Sequence, residues 1–422
     1  MTKQFFACKR IGLIVLCVGT VMGTVRLTHA QVITVILDNN GDGMNPFNVS
    51  PVGTGIEIAD NGDVLVGGSG SQNAYRVTNS GAIDLLINLD GDGMGNQLVA
   101  PSDVAADSMG NAFVAGRISN NAFKIAPGGA VTEIIDDTGT GGVNDLARAV
   151  AIETDADGNV YVAGQFSNNV FKITPAGVIT EILDDAGDEM GNNFGSPTDL
   201  AVDADGNVYA ASESPLRVFK ITPAGVRTPI YDDSNLPPDV EPVFGPLSIA
   251  VDGAGNVFVA GRFSDNVLKI APDGGVSQLI DNMGDGHGNM LQEAGDVAAD
   301  DFGNAYVLGR SSDNVFKIAP DGSITLIMDD TGDGMMNMLA QPLAIDVDAT
   351  GANVVVVSAD SLVFKLDFDD DDDGVPDSLD ECPGTGPVVA VGPTGRPLRD
   401  CNLDCQFNAL DIQCIVDELL AQ

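Results

Sequence analysis

Short β-rich runs, four at a time, alternate with turn residues along most of the chain, and no helical period separates them. In the unit opening at Pro197, Leu200 to Val202 is a first strand. Asp203-Ala204-Asp205-Gly206-Asn207 is a turn in which glycine takes positive φ. Val208 to Ala211, Val218 to Ile221 and Val226 to Tyr231 are the other three strands, the last two joined by Thr222-Pro223-Ala224-Gly225. The turn glycines Gly62, Gly110, Gly158, Gly206, Gly255, Gly303 and Gly351 recur at spacings of 48, 48, 48, 49, 48 and 48. Four antiparallel strands per repeat of this length make one propeller blade.

The chain ends decide between a closed ring and an open stack. The last unit supplies Ile345–Asp348, Val354–Val357 and Val363–Leu366 and then stops. The segment Val32 to Leu37 (VITVIL) matches the fourth strand of another unit, Val178 to Leu183 (VITEIL). Complementary ends tie a ring shut and remove its exposed edges. The expected fold is all-β: a seven-bladed β-propeller closed by the N-terminal strand, plus a small calcium-binding C-terminal tail with one short helix.

The segments PTDLAVDADGNVYAAS and VFKITPAGVITEI resemble NHL-type propeller repeats, particularly those of streptogramin lyases and related secreted bacterial proteins. The resemblance spans residues 32–368 and implies the fold, while such propellers host many unrelated activities.

Each unit puts a base at one position of its third strand: Arg76, Lys124, Lys172, Lys220, Lys269, Lys317 and Lys365. The pattern predicts an ion pair with an acid of a neighbouring blade, with a ring for an anionic polymer as the alternative. The loops leaving each fourth strand are rich in acid and glycine, as in DNNGDGMN at 38–45 and DDTGDGMMN at 329–337. They should share a face with the loops joining second and third strands, which carry Arg117, Arg262 and Arg310. Turn capping by these acids is favoured over calcium ligation, because most copies lack the distal acid that completes a calcium shell.

Lys3, Lys9 and Arg10 precede an apolar run from Ile11 to Val21, and Thr28-His29-Ala30 offers a cleavage site before Gln31. Residues 1–30 therefore read as a signal peptide, and the mature chain as secreted, either extracellular or at the cell surface, with no stable membrane insertion. The net charge of −42, from 61 acids against 19 bases, repels phosphate backbones and argues against a nucleic-acid partner. Cys8 and Cys17 leave with the signal peptide. Cys382, Cys401, Cys405 and Cys414 cluster near the C-terminus and imply two disulfides with three open pairings.

Beyond the propeller (31–368) lie segments 369–385 and 400–422, joined by a linker at 386–399. In the first, Asp369, Asp371, Asp373, Asp377 and Asp380 fall at loop positions 1, 3, 5, 9 and 12, Gly374 at 6, and Val375 offers its carbonyl. That spacing wraps one calcium ion. With Cys382-Pro383-Gly384-Thr385 behind it, the segment resembles a thrombospondin type 3 repeat. In the second, Asp400, Asn402, Asp404, Gln406, Asn408 and Asp411 precede an amphipathic helix carrying Ile412, Ile415, Val416, Leu419 and Leu420. NALDIQ after such a loop resembles half of a type I dockerin, which implies a cohesin-like partner. Cys405 replaces the turn glycine of that family.

The expected function is a secreted, non-catalytic recognition or scaffold propeller for an extracellular protein or glycan, with a calcium-binding tail that docks or anchors. The alternative is an extracellular lyase or hydrolase. Streptogramin-lyase-like catalysis implies paired histidines, whereas the mature chain has only His287, in a loop, and no recognisable nucleophile motif. No catalytic residue is assigned.

The tail loops generate the first prediction. The oxidised, full-length chain should take up about two calcium ions in calorimetry, because each loop presents five oxygen-bearing side chains and a carbonyl to a hard cation. Asp373→Ala with Asp380→Ala should remove one site, and Asp404→Ala with Asp411→Ala the other. No uptake at millimolar calcium would make both loops plain acidic linkers.

Overall fold

The computed structural model describes residues 30–369, apart from 51–52, 142–143, 233–235 and 239. Its twenty-eight strands form seven separate four-stranded antiparallel sheets. Six sheets use consecutive strands. The seventh has the order β1 (Ala30–Leu37), β28 (Val363–Asp369), β27 (Asn353–Ser358), β26 (Pro342–Val347). The N-terminal strand thus supplies the outermost strand of the last blade, pairing Val32 with Asp367 and Val35 with Phe364.

The innermost strands are β2 (Ile56–Ile58), β6 (Pro101–Ala106), β10 (Ala149–Thr154), β14 (Pro197–Val202), β18 (Pro246–Val251), β22 (Ala294–Ala299) and β26. Each packs on the next, and β26 returns to β2, so the ring closes around a central axis. The core lies between blades. Seven apolar clusters fill the seven interfaces; one joins Phe113, Ala115 and Ala122 of the second blade to Ile152, Val162 and Phe171 of the third. A blade packed on both faces explains why second strands such as VYVAG at 160–164 are buried along their whole length, without alternation.

Four of the seven third-strand bases pair with an acid of their own blade, not of the neighbouring one, and Lys124, Lys269 and Lys317 lie over aromatic rings. Arg76 meets Asp63 at 3.8 Å, Lys172 meets Asp155 at 3.9 Å, Lys220 meets Asp203 at 3.8 Å and Lys365 meets Asp367 at 3.1 Å. Strand register is the reason. Lys172 stands directly opposite Tyr161, whose hydroxyl donates to Asp155 at 2.7 Å, so base, ring and acid share one edge of one blade. The ammonium sits over that ring at 5.4 Å, as Lys220 does over Tyr209 at 5.1 Å.

The rim loops lie on the face expected of them. The segment entering each inner strand bonds to the loop joining second and third strands, as in Arg117 N–H to Ala100 O and Arg262 N–H to Gly245 O. Rim aspartates cap their own turns. Asp92 accepts from the Met94 N–H at 2.8 Å and from the Asn96 amide at 2.8 Å, and Asp42, Asp188, Asp285 and Asp333 repeat the arrangement.

Deleting residues 31–38 should strip β28 of its partner and expose the seventh interface, where Leu37 and Phe364 are buried. The expected result is aggregation or a loss on the order of 10 °C in Tm. An unchanged melting curve would refute closure by the N-terminal strand.

Candidate functional site

Seven converging inner strands leave an axial channel, and its lining follows a two-residue rule. At the third position from the start of each inner strand segment stand Gly55, Asp103, Ala151, Asp199, Ser248, Asp296 and Ala344. Wherever that residue is glycine or alanine, an acid appears two residues later: Glu57, Glu153 and Asp346. Residues two apart face the same way along a strand, about 6–7 Å apart. Six blades therefore each send one carboxylate to the axis, on two levels, and the fifth sends Ser248.

All of these groups but Glu153 join blade to blade. Asp103 accepts from the Ile152 N–H of the next blade at 2.8 Å, Asp199 from Ile249 at 2.9 Å, Asp296 from Ile345 at 2.8 Å and Asp346 from Ile58 at 2.6 Å. Glu57 accepts from Ala106. In the fifth blade the Ser248 hydroxyl accepts from Val297 N–H at 3.2 Å. Gly55 is required by this closeness, since a Cβ there would stand 2.5 Å from the Asp103 Cα.

Each carboxylate residue is only partly buried and lines the channel, yet protein surrounds all six, and burial dominates their chemistry. It pushes Asp103 and Asp346 up to about 7 and Asp296 to about 6, against the opposing pull of their backbone N–H donors. Asp199, Glu57 and Glu153 are also raised, by burial first and then by the neighbouring acids. Among the described residues, no three His, Cys, Asp or Glu side chains gather closely enough to hold a metal ion.

Above the acids the channel opens into a cavity of about 330 Å³. Arg117, Arg148, Arg262 and Arg310 line it, with Thr54, Gln165 and Thr198 between them. Three of these arginines are the loop residues expected on this face. Arg148 was missed because it lies in the lead-in to β10, where no other blade has a base. It has a φ of 60°, and the corresponding positions of other blades share the left-handed turn: Ala100 at 54°, Ser196 at 51°, Glu293 at 52°. A clasp holds the turn, with Asn120 Oδ1 of the preceding blade accepting the Arg148 N–H at 2.7 Å. Asn120 belongs to the loop that carries Arg117, so the clasp brings the two guanidinium groups together. Arg117 is lowered by burial and then by Arg148. Arg310 is lowered by burial and then by Arg262, with Glu293 opposing.

Of the assigned calcium ligands, Asp369 ends β28, and Asp371 to Asp411 lie outside the described residues, as do the four tail cysteines and the signal segment up to residue 29. His287 stands on a rim loop, with its side chain 86% exposed and 4.0 Å from Asp285, and it does not line the cavity.

No protein-family model and no curated protein matches the chain. Solved structures match its fold. A streptogramin B lyase aligns with a TM-score of 0.60 at 15% identity, over 80% of this chain and 98% of that one. Virginiamycin B lyase from Staphylococcus aureus gives 0.59 at 13%, over 80% and 99%. Hydrazine synthase from Kuenenia stuttgartiensis gives 0.53 at 14%, over 76% and 97%. At these identities the likeness establishes a shared propeller architecture and no shared chemistry.

The two acid populations should make stability peak near pH 4. The axial acids have folded pKa values above the ordinary carboxylate value near 4, so the folded chain holds protons that the unfolded chain releases. Their contribution is complete below about pH 4 and is lost as pH rises through 6–7. Rim aspartates such as Asp92 and Asp188 are lowered by N–H donors and lose stability as pH falls below 4. Melting curves across pH 3–9 should show both limbs, and Asp103→Asn should flatten only the alkaline one. A profile flat from pH 5 to 8 would contradict the raised values.

Proposed function

We propose that the chain is an exported, non-catalytic recognition protein whose ligand sits over the axial cavity and whose tail binds calcium and docks or anchors the molecule. The observation that carries this reading is the use to which the axial groups are put. Asp103, Asp199, Asp296 and Asp346 each accept a backbone N–H from the next blade, so each is committed to a structural bond across a joint. Above them the arginines, Thr54, Gln165 and Thr198 offer a set of donors at an open mouth, the composition of a binding site. The histidine that a streptogramin-lyase-like mechanism implies is not at the cavity, since His287 lies on the rim.

One observation favours the second reading, a lyase or hydrolase. Glu153 is raised by burial and by Glu57 and Asp103, and no hydrogen bond to its carboxyl group is among the causes. A buried carboxyl group raised in this way, with no N–H holding it, is the kind of group that serves as a general acid or base.

Incubation of the calcium-loaded chain with extracellular glycans and peptides, followed by mass spectrometry of bound and free material, separates the two. Recognition predicts ligand recovered chemically unchanged, with retention undiminished in His287→Ala. Turnover that disappears in Glu153→Gln would make the protein an enzyme.

A further inference from the structure

Only 19 of the 422 residues are basic, and four of them converge on one cavity. The four form two pairs. Arg117 and Arg148 meet where the second and third blades join, and Arg262 and Arg310 where the fifth and sixth join. In a ring of seven these joints lie on nearly opposite sides of the axis. The pairs are not equivalent. Arg262 donates to Glu293 at 3.2 Å, and Ser311 bonds to the same carboxylate. Neither Arg117 nor Arg148 has a carboxylate within ion-pair distance among the described residues, although acids outnumber bases by 61 to 19. Two half-buried guanidinium groups that line one cavity, near enough for Arg148 to lower Arg117, without a counter-ion lack the partner their chemistry calls for.

What surrounds them narrows that partner. The Arg148 guanidinium lies 4.5 Å from the Phe166 ring centroid, and Arg262 lies 5.4 Å from that of Phe263. Both phenyl groups remain about two-thirds exposed, at 68% and 67%, so each arginine pair has an open apolar face beside it. Below the mouth, six carboxylates line the channel. They exclude a polyanion from threading it and penalise a dianion more than a monoanion. They also supply acceptors, and donors when protonated, for neutral hydroxyl groups.

Building on the axial cavity as the ligand site, we infer that Arg117 and Arg148 bind the carboxylate of a hydroxylated ring, a uronic acid residue of an extracellular glycan being the simplest case. The carboxylate takes the two planar forks, the ring lies along Phe166, and its hydroxyl groups point toward the channel acids. Affinity falls as pH rises, because ionised Glu57, Asp103, Glu153, Asp199, Asp296 and Asp346 repel the anion. Glu293, the acid at the mouth beside Arg262 and Arg310, is held below its ordinary value, first by the Ser311 hydroxyl, and stays ionised through the same range.

Calorimetry on the full-length chain decides this, with a uronic acid disaccharide, its neutral hexose counterpart, inorganic phosphate and inorganic sulfate as probes. The uronate should bind, more tightly at pH 5.5 than at pH 8. Arg117→Gln and Arg148→Gln should each weaken it about ten- to a hundredfold while melting temperature holds. Equal affinity for phosphate or sulfate would overturn the assignment to a carboxylate-bearing ring. Uronate binding unaffected by either substitution would overturn the site. If the neutral disaccharide binds, is weakened by Thr198→Val and ignores both arginine substitutions, the cavity is still a ligand site and only the ligand class fails. Binding of no probe, with glycans retained equally by wild type and all three variants, would remove both this inference and the axial-cavity reading beneath it.

Discussion

A carboxylate on one inner strand accepting the backbone N–H of the next blade is the contact around which the ring is organised. A propeller blade is a small sheet with two apolar faces, and it is stable only between two others. Apolar packing alone lets neighbouring blades slide, because it is not directional. The axial bonds fix the register: Asp103 to Ile152, Asp199 to Ile249, Asp296 to Ile345, Asp346 to Ile58. The cost follows from the same geometry. Strands that converge bring their acids together away from bulk water, and the acids respond by holding protons. Staggering them over two levels, with Ser248 in place of a seventh acid, limits the repulsion while keeping an acceptor at six of the seven joints.

Much of this architecture was legible in the residues, for physical reasons. Glycine adopts the positive φ of these tight turns at least cost, so Gly62 to Gly351 mark the blades, and φ at each of them lies between 73° and 87°. Closure was legible because VITVIL and VITEIL do the same job in different blades. The axial ring was harder to see. Its acids sit at one position in three blades and two positions later in three others, so no single column of the repeat carries them. Arg148 was hidden for a related reason, since the equivalent turn elsewhere holds Gly53, Ala100, Ser196, Gly245, Glu293 or Gln341. Placing the third-strand bases needed strand register, which composition cannot supply. Lys172 faces Tyr161 across one ladder, and its acid lies on that edge of the same blade.

The mouth shows how a repeat meant for stability can yield a site. Loop and lead-in are clasped in several blades: Asn120 to Arg148, Asn168 to Ser196, Asp265 to Glu293, Asp313 to Gln341. The clasp holds the backbone and leaves the lead-in side chain free to vary. Serine at this position makes a neutral joint, glutamate makes one that neutralises Arg262, and arginine makes one with two uncompensated charges. A binding function confined to such positions varies without disturbing the packing between blades, which is how one fold serves unrelated roles.

The charge of the whole molecule bears on that mouth. At physiological salt, fields are screened beyond about 8 Å. The rim acids therefore set the potential that an approaching anion meets first, and the arginines act only once it has entered the cavity. Long-range steering of an anion is weak or adverse, so recognition depends on short-range contacts: paired forks, a phenyl face and hydroxyl acceptors below. A polyanion meets repulsion along its length, from the rim outside and the channel acids inside, whereas a single carboxylate on a neutral ring meets less of it, and least while the channel acids are protonated. In the proposed site the acidic envelope and the basic mouth act together, the first rejecting multiple charges and the second holding one.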